Sequence, residues 1–224
     1  MKHGIIIISL LLALFSVQEM SGQIISESAK RKVTVGVDVY TDIWMNQPNL
    51  MRTRTINQGA NVFMQYNFLL NESGSVGFGV GPGIMSHNLY SNSTIGDIKG
   101  DSILFSPITT DYRRSKVNVV YFYIPMDIKF RFKNDIKLSV GFNFGFTIDS
   151  KQKYYGNRPS DDKRVLIKEK KIEHLDEYTY GPTLRFGWKY INVFAEYQIN
   201  GIFQKGFGTD NLNPISVGIT LTPF

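Results

Sequence analysis

The chain has 224 residues and a formal net charge of +6, a length that suits one domain or two small ones. It contains no cysteine, which excludes a disulfide scaffold, a thiolate metal site and a lipidated cysteine anchor. The bases are spread along the chain without a basic helix or a nucleic-acid motif, so we expect no nucleic-acid partner. The mean hydropathy of −0.14 argues against a helical membrane protein, although 16 Phe and 12 Tyr make the chain rich in aromatic residues.

The first 22 residues are typical of a secretory signal peptide. Lys2 precedes an apolar run of about eleven residues, and the small residues Ser21 and Gly22 follow it. This run is too short to span a bilayer, and an N-terminal anchor helix is the alternative interpretation. No other stretch has 18 consecutive apolar residues, so a mature protein in a membrane would cross it as a β-barrel. We expect cleavage near Gly22 or Gln23.

Three strands are predicted in the first part of the mature chain. Residues 33–44 and 58–70 alternate between apolar and polar side chains, with a loop between them, and a period of two indicates a strand. A tight turn at residues 71–73 leads into a third strand at residues 74–88. The inner face of this third strand carries four glycines: Gly77, Gly79, Gly81 and Gly83.

The row of glycines has two interpretations. Glycine relieves crowding and permits bends inside a small, tightly curved barrel. Alternatively, the row opens a cleft in the lumen opposite the bulky side chains of Tyr121 and Tyr123.

The central hairpin has the strongest alternation in the chain. Its arms are residues 119–132 and 136–148, joined by a turn at residues 133–135. One face of each arm is apolar and the other is polar, charged or glycine. Arms of about thirteen residues exceed the five to six of an ordinary strand, and the pattern indicates a membrane-spanning β-barrel with an apolar face toward lipid.

Three more strands complete the prediction: residues 178–189, 192–202 and 213–224, with a turn at Tyr190 and Ile191 between the first two. Tight turns alternate with longer loops of about 13, 29, 29 and 10 residues. We therefore predict an all-β, eight-stranded antiparallel transmembrane β-barrel with an up-and-down meander.

The predicted organisation follows from this barrel. Residues 1–22 form the signal peptide, residues 23–32 a periplasmic N-terminal segment and residues 33–224 an outer-membrane barrel. Outer-membrane barrels have short periplasmic turns and longer extracellular loops. We therefore expect the long loops to be extracellular and both termini to be periplasmic.

The chain resembles the PorT-like, "porin family" outer-membrane β-barrels of the Bacteroidota. The resemblance is carried by the strand from Tyr123 to Phe132, the Gly-X-Gly-X-Gly row, the Gly181-Pro182 pair and the terminal Phe224. It implies a component of a secretion or envelope assembly and supplies no catalytic residues. One departure is Pro223, which places Phe224 out of phase with the apolar residues of the last strand.

Charged residues on the inner faces form a predicted lumen charge network. If Tyr190 and Ile191 form a two-residue turn, Arg185 lies directly opposite Glu196. The network is either a structural plug, since eight strands leave a lumen just filled by side chains, or an ion-conducting path. Its predicted members are Asp38, Asp127, Lys129, Arg131, Arg185 and Glu196.

The third long loop, residues 149–177, is rich in bases. It is either a solvated extracellular loop or, because residues 165–172 alternate, a β-hairpin that extends the barrel above the membrane. A basic patch there would bind lipopolysaccharide phosphates or a protein partner. Its predicted members are Lys163, Arg164, Lys168, Lys170 and Lys171.

Three functions are weighed on this basis. The leading hypothesis is a non-enzymatic structural or interaction barrel without a cofactor, whose partners are outer-membrane lipid, lipopolysaccharide and other envelope or secretion proteins. The second is a narrow channel for ions or very small solutes. The third is a lipid-modifying enzyme. Ser86 and His87 are a poor catalytic pair, because neighbours in a strand point to opposite faces. An active site would instead need His174, which lies in a loop.

Overall fold

The computed structural model describes residues 32–158, 160–209 and 211–222. The predicted signal peptide, residues 23–31 and the terminal pair Pro223 and Phe224 lie outside the described residues. Twelve strands are present in the described ranges: β1 (Val33–Met45), β2 (Gln58–Leu69), β3 (Val76–Val80), β4 (Gly83–Tyr90), β5 (Ser93–Ile95), β6 (Phe105–Pro107), β7 (Tyr112–Arg131), β8 (Ile136–Asn157), β9 (Arg164–Lys170), β10 (Tyr178–Trp188), β11 (Ile191–Tyr197) and β12 (Asn213–Leu221).

Antiparallel pairings join most of these strands into a closed ring. The order is β1, β2, the β3–β4 pair, β7, β8, β10, β11 and β12, and β12 pairs with β1. Strands β3 and β4 act as one strand, since Val80 pairs with Met126 and Gly83 with Tyr123 in an unbroken register. The interruption falls at Pro82, which has no N–H to donate. The all-β, antiparallel prediction is confirmed.

The strands are apolar on the outside of the ring and polar on the inside. On β1, Asp38 and Asp42 are fully buried, whereas Val39 between them is 59% exposed. The same alternation runs along β2 and β10. A soluble barrel would bury its apolar face, so this arrangement is that of a barrel surrounded by lipid. Among the described residues, no helix is long and apolar enough to cross a membrane.

Aromatic side chains mark the outer face near both ends of the ring, as in the aromatic girdles of membrane barrels. Near one end the exposed rings are Tyr66, Phe68, Phe132, Trp188 and Tyr190. Near the other end they are Phe122, Phe146, Tyr178, Tyr180 and Tyr197.

The connections sort by length between the two ends. Residues 70–75, 132–135 and 189–190 connect strands at one end, which we call the short-turn end. The described residues of 46–57, 91–111, 158, 160–177, 198–209 and 211–212 lie at the other, the long-loop end. The predicted alternation of short turns and long loops is therefore confirmed.

The central hairpin is longer than predicted. Strand β7 begins at Tyr112 and β8 continues to Asn157, beyond the expected limits of 119 and 148. The cause is a β-bulge, because Val120 pairs with Asp149 and Tyr121 with Thr147, which leaves Ile148 as an extra residue. The bulge reverses which residues of β8 point outward, so the apolar–polar alternation of the sequence is interrupted at Ile148 although the strand continues.

Two predicted loops contain further strands. In the loop between β4 and β7, β5 and β6 form a small two-stranded sheet. In the next loop, β9 pairs with the extension of β8 from Lys151 to Asn157, so the hairpin interpretation of residues 149–177 is the one observed. Together β7, β8 and β9 extend the barrel wall at the long-loop end.

The inner glycines lie against bulky neighbours. A Cβ on Gly83 would be 2.4 Å from Cε1 of Tyr123, the residue directly opposite it, and that ring is fully buried. A Cβ on Gly79 would be 2.8 Å from Cε of Lys129. Large side chains fill the space beside Gly79 and Gly83, and backbone atoms of β2 lie against Gly81. The crowding interpretation therefore holds at these positions, and no cleft is observed there.

We expect Gly83→Ala to destabilise the barrel by about 1–3 kcal/mol, because the new methyl group overpacks the Tyr123 ring. The measurement is urea unfolding of protein refolded in lipid vesicles, followed by tryptophan fluorescence. Gly96→Ala is the matched control, since its Cβ would have no neighbour within 4 Å. Equal unfolding midpoints for both variants would contradict the crowding interpretation.

Candidate functional site

The lumen contains a buried ionic cluster around Arg185 of β10. Its Nη2 lies 3.0 Å from Oδ2 of Asp38 on β1, and its Nη1 lies 3.5 Å from Oδ2 of Asp127 on β7. All three side chains are 5% exposed or less. One guanidinium therefore joins three strands that are far apart in the sequence, across the interior of the barrel.

Uncharged side chains also donate hydrogen bonds to the two carboxylates. Asp38 accepts a hydrogen bond of 2.6 Å from the Thr220 hydroxyl and one of 3.2 Å from the Asn61 amide. Asp127 accepts a hydrogen bond of 2.7 Å from the Gln65 amide. Buried charges are tolerated where they are both paired and hydrogen-bonded, and the two carboxylates meet both conditions, whereas Nε of Arg185 has no hydrogen-bond partner among the described residues.

Two aromatic rings enclose the guanidinium. The Arg185 Cζ lies 4.9 Å from the centroid of Phe63 and 4.7 Å from that of Phe194. Cation–π attraction adds to the ion pairs at these distances, and the rings fix the plane of the side chain. The charge is held as a rigid structural element of the lumen.

The predicted pairing of Arg185 with Glu196 is wrong. Trp188 pairs with Ile191, so the turn consists of Lys189 and Tyr190 rather than Tyr190 and Ile191. Lys189 adopts a positive φ of 52°, as a tight turn requires. The register shifts accordingly: Arg185 lies opposite Phe194.

The other predicted members lie elsewhere in the lumen. Glu196 lies opposite Thr183 on β10 and Ser216 on β12. Lys129 donates hydrogen bonds to Asn67 Oδ1 at 2.7 Å and to Thr34 Oγ1 at 3.1 Å.

Near the short-turn end, Arg131 lies opposite Lys137 across the β7–β8 pair. A cavity of about 50 Å³ lies there, lined in part by Lys129, Arg131 and Lys137. The structure therefore joins Asp38, Asp127 and Arg185 by ion pairs. Asp127 and Arg185 also line the cavity at the short-turn end, together with these bases.

The two histidines in the described part of the chain, His87 and His174, do not form a nucleophilic site. Nδ1 of the buried His87 lies 3.1 Å from both carboxylate oxygens of Asp42, and the Ser216 hydroxyl donates to the same carboxylate at 2.6 Å. The serine thus bonds to the carboxylate and not to the imidazole, unlike the order that activates a nucleophile. Ser86 accepts a hydrogen bond from Asn118, and the His174 ring stacks on Phe207 with centroids 3.9 Å apart.

An apolar cap, which was not predicted from the sequence, covers the lumen at the long-loop end. Every long connection contributes buried side chains, and backbone hydrogen bonds link the connections, such as Ile103 N–H to the Phe207 carbonyl at 2.7 Å. The feature of the sequence that could have predicted the cap is the presence of isolated isoleucines in loops of otherwise polar composition. The loop members of the cap are Met51, Ile95, Ile98, Ile103, Ile172, Leu175, Ile202, Phe203 and Leu212.

The predicted basic patch is divided between different environments. Arg164 is paired with Asp111, with Nη2 and Oδ2 2.8 Å apart. Lys163 precedes β9 and Lys171 follows it with a positive φ of 61°. Only Lys168 and Lys170 lie on the β9 face that continues the outside of the barrel.

The structure brings other lysines to this face. Lys153 of β8 lies directly between Lys116 of β7 and Lys168 of β9, and Lys151 pairs with Lys170. We call Lys116, Lys151, Lys153, Lys168 and Lys170 the lysine patch. The sequence alone does not predict this patch, because the bulge and the β8–β9 register decide which side chains share a face.

The environment of Lys116 changes the pKa of its side chain. It lies beyond the apolar belt, its Nζ donates to Asn88 Oδ1 at 2.7 Å, and it lies 5.3 Å from the Tyr90 ring centroid. Partial burial and, to a smaller extent, the neighbouring charges of Arg114, Lys151 and Lys153 together lower the pKa of Lys116 to about 8. The patch is therefore a region of positive potential.

Comparison with known proteins agrees with this architecture. The sequence matches the family described as outer membrane protein beta-barrel domain over residues 28–222. The chain belongs to this family. It is thus an outer-membrane β-barrel protein, and the predicted barrel and its outer-membrane location are confirmed at this level.

The solved structures to which the chain is similar have low sequence identity and TM-scores below 0.5. Ail, the attachment invasion locus protein of Yersinia pestis, is 12% identical over 85% of this chain and 97% of Ail, with a TM-score of 0.40. The complex of Ail with the heparin analogue sucrose octasulfate has 10% identity, the same coverage and a TM-score of 0.39. A mutant porin of Rh. blastica is 9% identical over 85% and 99% of the two chains, with a TM-score of 0.21. Among curated proteins, none matches the chain.

We expect Arg185→Leu to destabilise the barrel by about 3–5 kcal/mol, because it leaves two buried carboxylates without their cation. The measurement is again urea unfolding in lipid vesicles. The matched control is Arg164→Leu, which breaks an exposed arginine–aspartate pair and should cost about 1 kcal/mol or less.

A further variant keeps this test decisive if Arg185→Leu does not fold. Combining it with Asp38→Asn and Asp127→Asn removes the buried charges together, and we expect it to recover most of the lost stability. Equal losses for the single and combined variants would contradict the ionic explanation.

Proposed function

We propose that this protein is a non-enzymatic outer-membrane barrel with a closed lumen and a structural or interaction role. The observation that carries the proposal is that the lumen is filled by the Arg185 cluster and covered by the apolar cap. Such a barrel acts through its surfaces rather than by passing a solute. We place the long-loop end outside the cell and the termini in the periplasm, as short turns and long loops are arranged in outer-membrane barrels.

The interior argues against the narrow-channel alternative. Between the Arg185 cluster and the cap lie Tyr121 and Tyr123, which are 1% and 0% exposed, and Met85, which is 0% exposed. A ring of eight strands has an interior just wide enough for such side chains. The charges are therefore better explained as a plug that ties the strands together than as an ion path.

The geometry also argues against the enzyme alternative. His87 is 2% exposed and is held by Asp42, so it has neither a substrate-accessible position nor a serine partner. Within the described ranges, no group of three or more histidine, aspartate and glutamate side chains is arranged to hold a metal ion.

The long-loop end offers a surface for protein partners. Strand β9 pairs only with β8 among the described strands, so its other edge presents backbone donors and acceptors. Leu166 and Ile167 of β9 are 61% and 41% exposed. This edge is suited to strand addition by a partner, and it supports a role in a secretion or envelope assembly, which the PorT-like resemblance also favours.

We expect the purified protein to give no size-graded swelling of liposomes with sugars and no steady ion current in planar bilayers, because its lumen is filled. A general porin reconstituted at the same ratio of protein to lipid is the positive control. Swelling that depends on sugar size, or a steady current from folded protein, would overturn the closed-lumen proposal.

We expect replacement of residues 158–170 by a short glycine–serine turn to abolish copurification of envelope partners, because it removes the β9 edge. Copurification after crosslinking in intact cells is the measurement, and a mobility shift on heating in gel electrophoresis checks that the barrel still folds. The control is Leu166→Ser with Ile167→Ser, which keeps the strand edge and should lose only part of the binding. Unchanged copurification with the shortened protein would refute the role of β9.

A further inference from the structure

The lysine patch is a two-row array on one face of the extended barrel wall. The first row contains Lys151 and Lys170, and the second contains Lys116, Lys153 and Lys168. Directly opposed residues of antiparallel strands have Cβ atoms about 5 Å apart, so the lysine side chains of one row leave the wall next to one another. Rows on one face repeat every second residue along a strand.

Such an array is unfavourable without a counter-charge. Like charges directly opposed across strands are destabilising, and Lys153 has a lysine on both sides. The acids nearby do not neutralise the array: Asp149 lies 3.6 Å from Lys151 alone, and Asp111 is paired with Arg164. Glu169 accepts a hydrogen bond from Gln152, whose side chain is buried on the inner face.

The array lies on the same outer face as the lipid-facing side chains. Ile148 of β8 is 54% exposed, and Lys151 follows three residues later. With about 3.3 Å per residue and a strand tilt of about 40°, the first row lies about 8 Å above Ile148. This height is just beyond the headgroup region, which adds about 5–7 Å on each side of the hydrocarbon core, and the long lysine side chains can extend back to it.

We propose that the lysine patch binds the phosphate groups of anionic lipids in the leaflet at the long-loop end. The patch faces sideways, toward neighbouring lipids, and begins where the apolar belt ends. Several phosphates in adjacent headgroups supply the counter-charges that the two rows lack. The inference rests on the proposed function in one respect, the orientation that makes this leaflet the outer one.

The sideways direction favours lipid over a soluble polyanion. A soluble partner reaches the barrel most directly from the long-loop end, where the apolar cap and the β9 edge lie. Headgroups instead surround the wall at the level of the patch. The binding should weaken with salt, because exposed charges are screened.

The test uses the folded full-length protein in neutral detergent, with diphosphoryl lipid A as the probe and native mass spectrometry as the readout. The variant combines Lys153→Gln, Lys168→Gln and Lys170→Gln. A lysine near a charged membrane surface contributes about fivefold in affinity, so we expect a loss of about 100-fold. We also expect the wild type to bind dephosphorylated lipid A far more weakly.

The matched control combines Lys99→Gln, Lys163→Gln and Lys205→Gln, three exposed lysines of the long-loop end that lie outside the patch. It makes the same change in net charge and should keep lipid binding within about twofold of the wild type. An equal loss in both triple variants would overturn the proposal, because net charge alone would explain it.

Two further outcomes would also overturn it. One is equal binding of phosphorylated and dephosphorylated lipid A, and the other is tight binding of a soluble sulfated polysaccharide with no lipid binding. Unfolding in neutral detergent gives a second readout, since the patch variant should be at least as stable as the wild type once the repulsion is removed. A detergent micelle has no inner and outer leaflet. A negative result in this experiment would therefore contradict the lipid-binding proposal without bearing on the closed lumen or on the orientation of the barrel.

Discussion

The burial of one guanidinium inside the barrel is the interaction on which the rest of the structure depends. Arg185 links β10 to β1 through Asp38 and to β7 through Asp127. Strands that are distant in the sequence are thereby tied across the lumen as well as along the wall. Because charges taken out of water are costly when unpaired, each of these residues requires the others, and the ring is stable only when all three strands are in register.

The same requirement explains why the lumen is closed. The enclosing rings of Phe63 and Phe194 exclude solvent around the charge, and the glycine row gives room for Tyr123 and Lys129. At the long-loop end, all four long connections contribute to the apolar cap. The barrel thus has two cores, one ionic and aromatic within the wall and one apolar above it, and both leave the outer surfaces as the functional ones.

Much of the wall could be predicted from the sequence, because alternation is a local property of each strand. The inward positions of Asp38, Asp127 and Arg185 follow directly from a period of two. The partner of Arg185 did not follow, since a turn at Lys189 and Tyr190 instead of Tyr190 and Ile191 shifts every opposed pair. The extension of β8 was hidden for a related reason: the bulge at Ile148 reverses the alternation without ending the strand.

The sequence by itself determined the all-β character, the order of the strands and which end carries the long loops. These features depend on short-range patterns of apolar residues and turns. Only the tertiary structure decided which charges meet in the lumen, how isolated loop isoleucines combine into a cap, and which lysines form one patch. Each of those depends on register between segments far apart in the chain, where a displacement of one or two residues changes every contact.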